Sequence, residues 1–136
     1  MASLAVITAV KARLAASAFA TPVKHPNADF QTPADGSSFV AVQYPLASEA
    51  QRTFGAPGNN VFREEGVIRF VINIPRGADL EVAATIADEL RALFRSARFA
   101  GVRCYAPTSL VFNDGNDDGN YSRGSIAVPY DFDLHA

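Results

Sequence analysis

Gly66-Val67-Ile68-Arg69-Phe70-Val71-Ile72-Asn73-Ile74-Pro75 is the stretch on which the reading of this chain turns. Ile68, Phe70, Ile72 and Ile74 alternate with Val67, Arg69, Val71 and Asn73, the period of two expected when one face of a strand lies on a core. Pro75 ends the run because it fixes φ and brings no N–H to a ladder. Upstream the strand extends back to Val61, and Gly66 inside it marks a bulge or a bend. Downstream, Arg76 and Gly77 turn the chain into a helix from Asp79 to about Arg95. Leu80, Ala83, Ala84, Ala87, Leu90 and Phe94 share one face of that helix, widened by Ile86 and Leu93. Asp79 and Glu81 at its start and Arg91, Arg95 and Arg98 near its end complement the helix dipole. The arginine row reads as a solvated face, with phosphate contact as the sharper alternative.

Outward from this unit the pattern continues. Leu4, Ile7, Val10 and Leu14 recur at spacings of three and four and predict an amphipathic first helix. A signal peptide is the weaker reading, since no basic residue precedes the apolar run and Lys11 and Arg13 follow it. Pro22, Pro26 and Pro33 predict that neither helix nor ladder passes through Thr21 to Ser37. A short strand over Ser38 to Tyr44 is expected to end at Pro45, and Leu46 to Asn60 is rich in turn formers. Val102 to Ala106 and Ser109 to Asn113 read as two strands, or as one strand interrupted by Pro107. The last strand spans about Ser125 to Leu134, with Ile126, Val128, Tyr130, Phe132 and Leu134 on one face and Ala127, Pro129, Asp131 and Asp133 on the other. Pro129 predicts an edge position or a bulge there. The order of elements predicts an α+β fold: a mainly antiparallel or mixed β-sheet with two α-helices packed on one face, in a single domain over residues 1–136.

Composition narrows the function classes. The formal net charge is −2 over 136 residues, which gives no electrostatic reason for tight binding to nucleic acid or anionic lipid. No apolar run is long enough to cross a bilayer as a helix. Cys104 is the single cysteine, so no internal disulfide and no cysteine-based zinc set is expected, and the thiol reads as a small hydrophobe in a reducing compartment. Asp114, Asn116, Asp118 and Gly119 match the opening of a calcium loop. Ser125 stands where the closing bidentate glutamate belongs, so a solvated hairpin loop is the better reading. A serine triad would have to recruit His25 from a proline-rich loop or the penultimate His135. Glu64 and Glu65 are neighbours on a strand and point to opposite faces, so they cannot share a proton. No catalytic residue, metal or cofactor is expected. Arg52-Thr53-Phe54-Gly55 and Phe62-Arg63-Glu64-Glu65 mix aromatics with charge as interfaces do, and equally suit a hairpin with Phe54 or Phe62 tucked into the core.

The ordered set of features resembles the tail terminator, or tail completion, proteins of long-tailed phages and phage-derived particles. It comprises the N-terminal helix, Val40 to Pro45, Thr53-Phe54-Gly55, and Arg63-Glu64-Glu65-Gly66 leading into Val67 to Ile74. Pro75-Arg76-Gly77 then opens the helix Ala83 to Phe94, and Val128-Pro129-Tyr130 closes the pattern. The resemblance implies a virion protein of the tail or neck, assembled in the bacterial host cytoplasm. It implies a six-membered ring on the head-proximal end of the tail tube, which stops tube growth and offers a docking surface to the neck. The expected partners are further copies of itself, the tail tube protein and a neck or head-completion protein, with DNA only passing through the lumen and no membrane. Arg52, Phe54, Phe62, Arg63 and Glu64 are then expected at subunit or tube contacts, and Asp114, Asp117 and Asp118 at the lumen or a partner. Another neck, joining or tube component is the alternative within the same class. A small metal-dependent hydrolase using the acidic loop and a monomeric ligand-binding module are the alternatives outside it.

Overall fold

The alternation of residues 67–74 becomes the centre of a sheet. In the computed structural model, which describes residues 2–17, 19, 21–26, 31, 36–113 and 121–136, the elements follow the chain as α1 (Leu4–Ala16), β1 (Val23–Lys24), β2 (Phe39–Gln51), β3 (Val61–Pro75), α2 (Leu80–Phe94), β4 (Arg98–Phe99), β5 (Val102–Cys104), β6 (Val111–Asn113) and β7 (Tyr121–His135). The sheet order is β1-β2-β3-β7-β5-β4, with β6 also on β7. β1 runs parallel to β2, and every other pairing is antiparallel. β3 and β7 pair without a slip from Val61↔His135 to Pro75↔Tyr121. The fold is α+β, as the pattern predicts.

One face of the sheet carries the core. Val40, Val42, Ile68, Phe70, Ile72, Ile74, Val102, Ile126, Val128 and Tyr130 are all buried there. Both helices close over them: Val6, Ala9, Val10 and Leu14 from α1, and Ala83, Ile86, Ala87, Leu90 and Phe94 from α2. Asp79 caps α2 by accepting the Glu81 N–H at 3.2 Å, which satisfies one of the helix's orphan donors. At the other end Arg13 of α1 donates from Nε and Nη2 to the Leu93 carbonyl at 2.9 and 2.6 Å. A cation thus meets the negative end of the α2 dipole and fastens the two helices together. The same guanidinium lies 5.0 Å from the Phe99 ring centre.

Several sequence expectations are corrected. Leu4 is 80% exposed and Val6 takes the inward place, because the first turn of α1 is apolar on both sides and its periodicity admits either face. Leu80 is likewise exposed at the start of α2. Arg98 belongs to β4 and not to the helix end, since the chain turns left-handed at Ser96 (φ 50°). The proline-rich segment does contain a ladder, the short β1, whose neighbour Pro22 accepts the Val40 N–H through its carbonyl at 2.9 Å. Proline lacks only the donor.

The two strand prolines follow the same logic. β2 does not stop at Pro45 but runs to Gln51, with the register shifting between Gln43 and Leu46. Pro45 lies in that bulge, where the ladder asks nothing of its nitrogen. β7 is an interior strand despite Pro129, whose carbonyl accepts from the Tyr105 N–H at 2.9 Å on the β5 side. N–H and C=O of one strand residue point the same way. The missing donor therefore faces the break between β5 and β6, which are two strands.

Gly66 answers the bulge from across the ladder. A Cβ there would run into the Leu46 carbonyl oxygen and come within 2.8 Å of Tyr130 Oη. Gly66→Ala is therefore expected to lower stability by about 2–3 kcal/mol, the scale of an overpacked core. Chemical denaturation of the two proteins measures it, and equal midpoints would refute the crowding.

Candidate functional site

Beyond Gly66 the three long strands continue as an arm, made of Leu46–Gln51 of β2, Val61–Glu65 of β3 and Asp131–His135 of β7. Burial falls away along it: Leu46 is 62% and Leu134 47% exposed. The loop at its end is tightly organised. The Arg52 N–H donates to the Val61 carbonyl at 2.7 Å, and the Val61 N–H donates to Thr53 Oγ1 at 2.8 Å. Asn60 is buried, accepts the Ala56 N–H at 3.1 Å, and exchanges two backbone bonds of 2.9 Å with Ala136. Gly55 and Gly58 supply the left-handed turns (φ 83° and 86°) that side chains disfavour. This frame presents Phe54, which is 82% exposed.

The face of the arm away from the helices carries a network of charges. Arg63 grips Asp133 with both prongs, Nε to Oδ1 at 2.8 Å and Nη2 to Oδ2 at 3.1 Å. Arg103 spans two carboxylates, donating to Asp133 Oδ2 at 3.0 Å and to Asp131. The Tyr105 hydroxyl donates to the other oxygen of Asp131. Arg52 meets Glu65 at 3.0 Å. Hydrogen bonding from Arg63, helped by the Arg103 charge, holds the Asp133 carboxyl below its ordinary range. The Tyr105 phenol is pushed up, chiefly by its bond to Asp131.

On the helix side, Glu64 is only 7% exposed. Its Oε2 accepts from Tyr130 Oη at 2.6 Å and from the Ser3 N–H at 3.3 Å, just before α1 begins. Burial, then the bond to Glu64, drives the Tyr130 phenol well above its usual range.

The residues singled out in the sequence therefore separate. Arg52, Phe54 and Arg63 come together on the arm and its tip. Phe62 is partly buried on the helix side, opposite Gln51 and Leu134, and neither it nor Phe54 belongs to the core cluster. Glu64, grouped with them by sequence, turns inward and ties the strand to the residue before α1. Asp114, Asp117 and Asp118 lie outside the described residues. Sequence reading missed Arg103 and Tyr105, although the shared face of Asp131 and Asp133 was a signal that cations must sit opposite.

Reactive chemistry finds little to build on among the described residues. No three His, Cys, Asp or Glu side chains approach closely enough to hold a metal ion. Burial pushes the Cys104 thiol up to about 11, far from the range of a reactive thiolate. A cleft of about 470 Å³ beside β2 is lined by Lys24, His25, Val42, Tyr44 and Pro45. Burial and the nearby Lys11 charge lower the His25 pKa. No described helix is long and apolar enough to cross a membrane.

The arm thus carries matched charges on one face and an exposed aromatic at its tip. A sequence model of the family described as phage tail terminator protein matches residues 5–130, from α1 to Tyr130 of β7. The chain belongs to that family, and its class is that of the structural proteins of phage tails. One solved structure, described only by a sequence identifier, is similar at a TM-score of 0.67 and 23% identity, over 100% of this chain and 99% of that one. That likeness supports the fold. No curated protein matches the chain.

The depressed Asp133 pKa fixes the sign of a pH effect. Its stabilising contribution is fully present above the ordinary carboxylate pKa and is lost as pH falls through the lower folded value. Asp133→Asn should thus melt below the wild type at neutral pH and converge with it in strong acid. A constant gap across the titration would rule this out.

Proposed function

We propose that this chain closes into a six-membered ring on the head-proximal end of the tail tube, where it stops tube growth and gives the neck a surface to dock on. The family match over residues 5–130 carries the reading. The arm supports it physically, since a finite ring from one subunit type requires two unlike surfaces on each copy that meet around an axis. Arg52, Phe54, Phe62 and Arg63 contribute to subunit or tube contacts, with Phe54 the aromatic anchor. Glu64 acts at one remove by holding the root of the arm to α1. Asp114, Asp117 and Asp118 are assigned to the lumen on their charge, which would let DNA pass without adhering.

Deleting the gene tests the role directly. The expected particles are tails of uncontrolled length without heads, counted by electron microscopy, and normal infectious particles would refute the assignment. Phe54→Ala tests the anchor. It should melt with the wild type, because Phe54 is 82% exposed, and bind purified tail tubes more weakly by about thirtyfold, the usual loss of an interface hot spot. Undiminished binding would remove Phe54 from the contact.

A further inference from the structure

Among the described residues the arm has two edges with no strand beside them, and they run in the same direction. On one side lies β2: the Arg52 N–H donates to Val61, and strand residues alternate. Ala50, Ser48 and Leu46 therefore turn their backbone groups toward β3, while Ala47, Glu49 and Gln51 turn theirs outward. On the other side lies β7. Ala136 bonds back to Asn60 across the β3 side, so Leu134 also faces β3, whereas Asp133 and His135 face away. β5 leaves β7 at Phe132↔Val102, where Gly101 still faces the Asp133 N–H, and no described strand lies beside the Asp133 carbonyl or His135 beyond it. Because β3 is antiparallel to both neighbours, β2 and β7 both run toward the tip.

We propose that copies of this chain join edge to edge through the arm, the outward groups of Ala47, Glu49 and Gln51 pairing in parallel with the Asp133 carbonyl and those of His135 in the next copy. The occupant is a second copy because each edge is the orientational complement of the other. A neighbour shifted sideways without being turned over brings its β2 alongside this β7, and the step repeats around an axis along the arm. A two-fold contact would instead pair β2 with β2 in opposite directions and stop at two. Side chains agree with close approach. Beyond the bulge at Pro45, Ala47, Ser48 and Ala50 are small, and Glu49 is the only charge from Leu46 to Gln51, so little on this stretch keeps a second strand away. The proposal rests on the ring reading and specifies its junction.

Glu49→Pro provides the test, since it deletes an outward N–H that no described strand of the same copy uses. The variant should melt as the wild type does and lose ring formation on tail tubes, measured by sedimentation and electron microscopy. Glu49→Gln should keep it. A second measurement fixes direction. Ser48→Cys or Ala50→Cys combined with His135→Cys should give a ladder of disulfide-linked copies. Within one copy the two strands are roughly 10 Å apart across β3, beyond the roughly 7 Å reach of a disulfide. Rings formed equally well by Glu49→Pro would overturn the edge junction and leave the ring reading standing. Dimers that stop at two from Ser48→Cys alone would overturn it in favour of a two-fold contact. A wild type that forms no ring even on tubes would remove the ring reading and this junction together.

Discussion

The rest of the molecule depends on the ladder between β3 and β7, fifteen residue pairs in unbroken register. A slip by a single residue would send Ile68, Phe70 and Ile72 to the solvent face and Arg69 into the core, so burial itself holds the register. That same register carries the alternation past the helices. It places Arg63 beside Asp133 on one face and Glu64 near Tyr130 on the other. Core and arm are therefore one continuous construction, in which the helices fix the position of strands that extend beyond them.

Along β3 the sequence was legible because its signal is local and repeated. The period of two gave strand and faces, and the second helix followed from its cap and stripe. What stayed hidden depends on contacts distant along the chain. The extension of β2 beyond Pro45 needs the bulge, and the bulge needs Gly66 opposite, a pairing that neither segment announces. Leu4 and Val6 compete for the inward place on α1, and only the sheet beneath decides between them.

The arm and its tip were half legible. Arg52, Phe54 and Arg63 stood out as aromatic and charged residues near turn formers, and the structure gathers them on one projection. Glu64 could have been separated from them, because it shares parity with Ile68 and Phe70 and so belongs to the buried face. Arg103 had no local sign of its role, since its partners lie 28 and 30 residues away. The acidic segment was conspicuous for composition alone, and its role still rests on charge.

The outer face of the arm has a consequence for any polyanion that moves past it. Arg52, Arg63 and Arg103 are matched by Glu65, Asp131 and Asp133, so the patch sums to zero although it is densely ionic. A guanidinium already forked onto a carboxylate has little left to exchange for a phosphate, and few counterions are freed when one comes near. Such a surface neither grips nor repels.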